Sequence, residues 1–354
     1  MIVIDSHLDL AWNALSWNRD LTLTVPEIRR QESGMKEAHR GTNTVAFPEM
    51  RKGEVAICLA TLLARASGLG EDKVDYRNQE IACAMARGQL AYYRILGSQG
   101  QLRMLKDWQD VEAHLRAWTT PDTCSAPLGF ILSMEGADPI LSPHQVVEWW
   151  NDGLRVVGLA HYGRSAYAHG TGASGGLTSL GVKLLAAMDE VGMVLDVTHL
   201  ADESFWQAVE QFKGSVLASH NNCRALVPGE RQFADEQIRY LIERDSVIGV
   251  ALDAWMLHPA YVLGETPNVL VSLEAAVDHI DHICQLAGDA RHAAIGSDLD
   301  GGYGTEQCPH DLDTIADLQK LPGLLRKRGY AGADIEAVMH GNWLRFFQRA
   351  WGSR

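Results

Sequence analysis

Short runs of Val, Ile and Leu alternate along this chain with longer segments in which apolar residues recur every three or four positions. The short runs predict buried strands, because they lack the strict polar–apolar alternation of a strand with one exposed face. Eight such strands are predicted, over residues 2–6, 54–61, 128–134, 154–160, 193–198, 215–219, 247–252 and 293–297. The longer segments predict helices, most clearly over residues 78–97, 107–118, 143–152, 178–191, 202–213, 235–245, 271–288, 311–328 and 332–350.

Regular alternation of strands and helices predicts a parallel sheet. Eight repeats within roughly 300 residues fit a closed (β/α)8 barrel of the TIM type. Because the chain has no Ser/Gly-rich or Pro-rich linker and no internal repeat, one domain is expected over residues 1–354. Two stretches, 7–53 and 163–177, are expected to be loops over the mouth of the barrel, where loops usually shape access to a site.

The composition narrows the class of protein. Apolar residues make up 46% of the chain and charged residues 21%, as in globular soluble proteins. The net charge of −14 argues against a nucleic acid or an anionic membrane as partner. With no basic, apolar leader and no run of about 18 apolar residues, a cytoplasmic protein is expected. The scattered cysteines are expected to be reduced thiols; they are residues 58, 83, 124, 223, 284 and 308.

Imidazole and carboxylate side chains stand where several of the predicted strands end. In a parallel barrel all carboxyl ends of the strands open on one face, so these side chains are expected to meet there. Three imidazoles and three carboxylates suit a borderline divalent metal such as zinc. The residues are His7, Asp9, Glu135, His199, His220 and Asp298.

The individual signals differ in strength. His7 and Asp9 can face the same way, but a His-x-Asp pattern is common, and taken alone it favours a His that is hydrogen-bonded to its local loop. Glu135 directly follows an apolar strand, where it must be paired or metal-bound, although a salt bridge or a helix cap would also serve. His199 and His220 are separated by one helix and one strand, 21 residues, so they occupy equivalent places on adjacent strands.

Other polar residues near strand ends have less defined roles. His161 could be a metal ligand, an oxyanion donor or a structural residue. Asp298 is a better candidate for proton transfer than Asp300, because it follows its strand directly, whereas Asp300 is expected to orient a neighbour or the loop. Arg231 could grip a substrate carboxylate with two parallel bonds, or be an ordinary surface residue.

Aromatic residues and the remaining histidines complete the candidates. Trp12, Trp255 and Tyr261 are candidate pocket walls, although packing in the core is the simpler role for Trp12. Structural roles are expected for the histidines at positions 39, 114, 144, 279, 282, 292, 310 and 340, which lack the strand-end register.

Taken together, a series of short motifs resembles the membrane dipeptidase (renal dipeptidase) family of zinc metallopeptidases. Each motif is short, but their order and separations are specific and extend over nearly the whole chain. The motifs are Asp5-Ser6-His7-Leu8-Asp9, Glu135-Gly136, His161, Asp196-Val197-Thr198-His199, Ser219-His220-Asn221, Gly296-Ser297-Asp298-Leu299-Asp300-Gly301 and Gly341-Asn342-Trp343.

The resemblance implies a (β/α)8 barrel with two zinc ions. One ion would be held by His7 and Asp9, the other by His199 and His220, and Glu135 would bridge them. The resemblance further implies dipeptide substrates, many with a D-residue at the carboxyl end, and a homodimer. A soluble, bacterial-type member is expected, because the anchor of the animal enzymes has no counterpart here.

The resemblance also assigns three residues to the reaction. His161 would stabilise the tetrahedral intermediate, Arg231 would bind the substrate's terminal carboxylate, and Asp298 would act as the acid and base. Residues 60–73 and 253–270 match the family poorly. Since both stretches are expected to line the pocket, they bear on substrate choice.

The chemistry of a site with two cations can also be inferred from the residues alone, without the family resemblance. Two cations sharing Glu135 would acidify a bridging water and supply hydroxide for attack on an amide near neutral pH. Other divalent transition metals could replace zinc. Two alternatives remain: a hydrolase of lactones or cyclic amides on the same barrel, and a non-catalytic metal-binding barrel. The second ranks last, because every ligand position and Asp298 are filled.

Overall fold

A ring of parallel strands forms the centre of the molecule, and the predicted (β/α)8 barrel is confirmed. The computed structural model describes residues 1–70, 73–118 and 126–352. The strands are β1 (Val3–Leu8), β2 (Val55–Leu63), β3 (Leu102–Met104), β4 (Leu128–Glu135), β5 (Leu154–Gly158), β6 (Val194–Asp196), β7 (Val216–Leu217), β8 (Ile248–Val250) and β9 (Ala293–Ile295).

The strands pair in the order β7-β6-β5-β4-β2-β1-β9-β8. A parallel bridge between Ala218, just after β7, and Ile248 in β8 closes the ring. β3 was not predicted, because its three residues include a charged Arg103 and give no apolar run. It pairs only with the amino-terminal half of β4, next to the place where β5 pairs with the carboxyl-terminal half.

Helices surround the ring. They are α1 (Leu10–Trp17), α2 (Val25–Gln31), α3 (Phe47–Lys52), α4 (Gln79–Ser98), α5 (Trp108–Trp118), α6 (Val146–Asp152), α7 (Ser179–Val191), α8 (Asp202–Gln211), α9 (Asp235–Glu243), α10 (Ala254–Leu257), α11 (Leu273–Ala287), α12 (Leu321–Arg328), α13 (Gly332–Glu336) and α14 (Asn342–Trp351). Short 3-10 turns occupy Pro143–Gln145, Asn268–Leu270 and Ile315–Lys320. None of the helices in the described ranges is long and apolar enough to span a bilayer.

The sequence analysis expects a loop over 7–53, and this expectation is wrong. The stretch contains α1, α2 and α3. α1 gives no amphipathic signal because six of its eight residues are buried, on several faces. α2 does carry a start signal that was overlooked. Thr24 and Glu27 form a capping box, and Pro26 lies in the first turn.

The carboxyl-terminal segment packs against β9. The single helix predicted over 332–350 is divided into α13 and α14 by a π-helical turn, Ala337–Gly341. Asn342 Nδ2 donates to the carbonyl oxygens of Ala290 and Ala293, at 2.6 and 2.8 Å. Trp343 Nε1 donates to Ile295 O at 3.0 Å. The last sequence motif therefore ties α14 to β9.

The remaining expectations concern the cysteines and the domain organisation. All five cysteines in the described part of the chain are free thiols, whereas Cys124 lies outside it. The assignment of residues 1–354 to a single domain stays a prediction.

Candidate metal centre and substrate cavity

The ionisable side chains of the site all lie within three residues of the end of a strand. Glu135 is the last residue of β4, and His7 and Asp9 flank the end of β1. His161, His199, His220 and Asp298 each lie three residues beyond the last residue of β5, β6, β7 and β9. These positions bring all seven side chains to the carboxyl-terminal rim of the ring.

Glu135 stands between two groups of ligands. Its Oε2 lies 3.5 Å from His7 Nε2, which is itself 3.7 Å from Asp9 Oδ2. Its Oε1 lies 3.2 Å from the Nε2 atoms of both His199 and His220. Each oxygen of one carboxylate thus faces a different set of atoms that could bind a metal, as required of a bridging ligand.

The unpartnered atoms of this cluster fit a metal. His7 Nε2, Asp9 Oδ1 and Glu135 Oε1 are buried and have no hydrogen-bond partner. The Nε2 atoms of His199 and His220 are only 3.1 Å apart. Burying such groups unsatisfied is costly, and ligation of a divalent cation removes that cost. His7, Asp9 and Glu135, and likewise Glu135, His199 and His220, place ligand atoms within 4.8 Å of one another.

Hydroxyl groups behind two of the histidines favour the ligating tautomer. His199 Nδ1 is 3.0 Å from Thr171 Oγ1, whose hydrogen can go to His199 O. His220 Nδ1 is 2.8 Å from Ser219 Oγ. With Nδ1–H donating to a hydroxyl, Nε2 keeps its lone pair for a metal. Thr171 belongs to the stretch 163–177, which among the described residues supports His199 from behind instead of lining the cavity.

Asp5 supports the site from below. Its Oδ1 accepts from the backbone N–H groups of His7 and Ser297, at 3.2 and 2.8 Å, and the Ser297 hydroxyl donates to its Oδ2. One buried carboxylate thereby joins β1 to the residue that precedes Asp298. Asp298 has a left-handed backbone, with φ of 58°, which points to a position held by its surroundings.

Burial sets the proton affinities of the two proposed reaction residues. Burial raises the pKa of Asp298 well above its ordinary value, and the neighbouring carboxylates of Glu135 and Asp9 add to this shift. Burial lowers the pKa of His161 to about 3; the guanidinium of Arg65 acts in the same direction and Glu135 opposes it. His161 is therefore neutral at pH 7.

Arg231 is not a surface residue. Its side chain is buried, and Nη1 donates to Asn221 Oδ1 at 2.6 Å while Nη2 donates to His220 O at 2.9 Å. It lines the same cavity as Glu135, His161 and Asp298. The cavity volume of about 470 Å³ suits a small molecule.

The walls of the cavity include ionisable residues that the sequence analysis does not single out as site residues. Asp253 lies three residues beyond β8, so the strand-end register would have identified it. It accepts from Trp255 Nε1 at 2.7 Å and from Gln307 Nε2 at 2.9 Å, and burial raises its pKa to about 7. His39 also lines the cavity, contrary to the structural role expected for it, and no sequence signal marks it.

Two of the three aromatic residues expected in the pocket wall are found there. Trp12 and Trp255 line the cavity, whereas Tyr261 is not among its lining residues and donates to Glu306 O at 3.3 Å. The two stretches expected to shape the pocket contribute Leu63 from 60–73 and Asp253, Trp255, Met256 and Leu263 from 253–270.

Asp300 orients the neighbouring loop, as predicted. Its Oδ1 accepts from the backbone N–H and the hydroxyl of Thr44, at 2.8 and 2.7 Å. Its Oδ2 accepts from Asn43 Nδ2 at 2.6 Å and from the backbone N–H of Val45 at 3.0 Å. Asp298, by contrast, faces the cavity, with Oδ1 3.7 Å from His7 Nε2.

A parallel barrel with a buried cluster of His and carboxylate ligands at its rim defines a metal-binding α/β-barrel protein. The chain belongs to the membrane dipeptidase family (peptidase family M19), whose model matches residues 1–351.

Two relatives are similar to parts of this chain. A protein from Klebsiella pneumoniae described as an uncharacterized protein in the pqqA 5' region is 30% identical over 177 residues, 50% of this chain and 62% of the relative. Dipeptidase aclJ of Aspergillus oryzae is 27% identical over 242 residues, 66% of this chain and 53% of the relative. The matches thus span less than two thirds of these relatives.

Solved structures show the same fold. A metallopeptidase from Rhodobacter sphaeroides, liganded with a phosphinate mimic of the dipeptide L-Ala-D-Ala, superposes with a TM-score of 0.80 at 20% identity, over 99% of each chain. The probable dipeptidase PvdM of Pseudomonas aeruginosa gives a TM-score of 0.79 at 16% identity, over 100% of this chain and 96% of PvdM.

Proposed function

We propose that this chain is a dinuclear-metal dipeptidase that hydrolyses L-Xaa-D-Xaa dipeptides, L-Xaa-L-Xaa dipeptides or both. One observation carries the proposal: the two oxygens of Glu135 face separate ligand groups in a cavity that also holds Arg231. Membership of the dipeptidase family supports the reaction class. The dipeptide mimic bound to the Rhodobacter neighbour supports the substrate class.

The proposed cofactor is a pair of zinc ions, with other divalent transition metals as substitutes. His7 and Asp9 would hold one ion and His199 and His220 the other, with Glu135 shared. When bound, such a pair acidifies water and polarises a carbonyl group.

The remaining residues bind the substrate and move protons. Arg231 binds the free terminal carboxylate, which limits the substrate to a dipeptide because a longer peptide has no carboxylate at that place. His161 donates from Nε2 to the carbonyl oxygen as negative charge develops on it. Asp298 accepts a proton from the attacking water and delivers it to the leaving amine.

A zinc assay coupled to a substrate panel tests the proposal. The zinc-loaded protein is incubated with L-Xaa-D-Xaa and L-Xaa-L-Xaa dipeptides, with tripeptides, and with lactones and cyclic amides of similar size. Hydrolysis confined to dipeptides is the expected result. Faster turnover of lactones or cyclic amides would support the alternative hydrolase, and bound zinc without hydrolysis of any amide would support a non-catalytic barrel.

Replacing Arg231 by Met is expected to raise the KM for dipeptides about 10- to 100-fold with a smaller change in kcat, since it removes charged hydrogen bonds to the substrate carboxylate. Steady-state kinetics measure the change. Arg224→Met is the matched control, because Arg224 lies on the same segment but pairs with Asp202 at the surface. An unchanged KM in Arg231→Met would remove Arg231 from substrate binding.

Asp253 is expected to make the KM depend on pH. Below its pKa of about 7 the carboxyl is neutral, and above it the carboxylate weakens the attraction of the nearby Arg231 guanidinium for the substrate. The KM of the wild type should therefore rise from about pH 6 to about pH 8, more steeply than in Asp253→Asn. Parallel KM profiles for the two proteins would exclude this role.

We also propose that the protein is cytoplasmic and that it forms a homodimer. The free cysteines support the cytoplasmic location, because free thiols suit a reducing compartment. Exposed apolar side chains support the homodimer. The side chains of Val262, Leu263, Val269 and Leu270 are between 45% and 67% exposed, and a second copy would cover such side chains.

A further inference from the structure

Arg65 is a buried cation beside the metal centre that the proposed reaction does not use. It lies two residues beyond β2, and its side chain is almost completely enclosed. Its backbone N–H donates to Val74 O at 2.9 Å, and its carbonyl accepts from the N–H of Tyr76 at 2.8 Å. These two backbone hydrogen bonds fix the position of the Arg65 main chain, from which the side chain extends.

The guanidinium contacts one imidazole of the site. Arg65 Nη1 is 2.9 Å from His161 Nδ1. A guanidinium has only N–H donors and remains protonated in proteins, so Nδ1 must be the acceptor and carries no hydrogen. In a neutral imidazole the hydrogen is then on Nε2.

That hydrogen points into the site. His161 Nε2 lies 3.8 Å from Glu135 Oε1, on the side of the ring that faces the ligand cluster. His199 and His220 can adopt the opposite arrangement, because the groups behind their Nδ1 atoms are the hydroxyls of Thr171 and Ser219, which can accept a hydrogen bond. A guanidinium behind the ring selects a donor at Nε2, whereas a hydroxyl permits a lone pair there.

The surroundings hold Arg65 in this position. Its Nε is 3.9 Å from Asp75 Oδ1, and its guanidinium carbon is 5.8 Å from the centre of the Tyr162 ring. Asp75 is itself anchored by the backbone N–H of Ser67, at 2.7 Å. Residues of the segment after β2 therefore help to hold the Arg65 side chain in place.

We propose that Arg65 is a positioning residue that fixes His161 as the neutral Nε2–H tautomer, and so makes it a hydrogen-bond donor to the substrate and not a metal ligand. The tautomer follows from the contact alone, and its use on a substrate carbonyl rests on the proposed function. Of the roles open to His161 from the sequence, oxyanion donor is the one that this contact selects.

Nitrogen NMR of the zinc-loaded protein tests the tautomer without any assay of activity. In protein labelled with 15N-histidine, the His161 signals are identified by their loss in His161→Gln. A bare Nδ1 and a protonated Nε2 are expected. A protonated Nδ1, alone or together with Nε2, would overturn the proposal, because Arg65 has no lone pair to accept that hydrogen.

Variants at Arg65 test the consequence for the reaction. Arg65→Met is expected to lower kcat about 10- to 100-fold, with KM and zinc content within about twofold of the wild type, and to let the Nδ1–H tautomer appear. Arg65→Lys keeps a cationic donor and is expected to recover part of kcat. An unchanged kcat and tautomer in folded Arg65→Met would overturn the proposal.

A second buried arginine provides the control. Arg155, in β5, donates to the carbonyl oxygens of Lys106, Trp150 and Leu154 and does not line the cavity. Arg155→Met is expected to lower stability but to keep kcat per folded molecule and the His161 tautomer. If Arg65→Met does not fold, the wild-type spectrum still tests the tautomer of His161, and the kcat of Arg65→Lys still tests the role of Arg65 in the reaction. A wild type without dipeptidase activity would refute the proposed function, while the spectrum would still test the tautomer.

Discussion

Replacing Glu135 by Gln is expected to abolish dipeptide hydrolysis and to reduce the zinc retained after dialysis from about two ions per chain to less than one. Glu135 is the residue whose two oxygens lie within 3.5 Å of His7 Nε2 on one side and of His199 and His220 Nε2 on the other. A neutral amide offers one oxygen and a nitrogen that cannot bind a cation. Elemental analysis and kinetics in excess zinc measure the two effects.

Glu49→Gln is the matched control for this prediction. Glu49 is also nearly buried, but it lies on α3 and does not line the cavity. Its substitution is expected to leave zinc content and turnover unchanged. A Glu135→Gln protein that keeps two zinc ions and its rate would show that the carboxylate does not bridge the metals.

The second large effect is expected from Asp298→Asn, which should fold and keep its zinc but lose about 10²- to 10⁴-fold in kcat. A carboxamide can neither accept a proton from water nor deliver one to the leaving amine. Turnover numbers, zinc content and circular dichroism of the purified variant measure the prediction.

Asp300→Asn separates chemistry from loop structure. Asp300 accepts bonds from Asn43, Thr44 and Val45, so its substitution is expected to lower the thermal midpoint with kcat within about fivefold of the wild type. A near-wild-type kcat in Asp298→Asn would remove Asp298 from the mechanism.

Much of the ring could be predicted because its strands are buried on both faces and appear as continuous apolar runs. All nine residues of β2 are buried, for example. The same burial hid α1, whose enclosed residues give no amphipathic pattern. β3 could not be predicted from the sequence, because it has no apolar run. Its hydrogen bonds to β4 make it a strand.

The site was predictable to the extent that it depends on strand ends. Glu135, His199 and His220 follow directly from that register. Asp253 obeys the same rule and was overlooked. The role of Arg65 could not be predicted, since its contact with His161 spans 96 positions and depends on how residues 74–76 pair with it.

The positions of the proposed ligands also concern the stability of the whole molecule. They belong to β1 and β4 and to the exits of β6 and β7, which lie at separated places around the ring. A metal ion bound there would link side chains from different strands of the barrel, and an ion that binds only the native state opposes unfolding. We therefore expect chelation to lower the free energy of unfolding of the whole barrel, and not only to stop turnover.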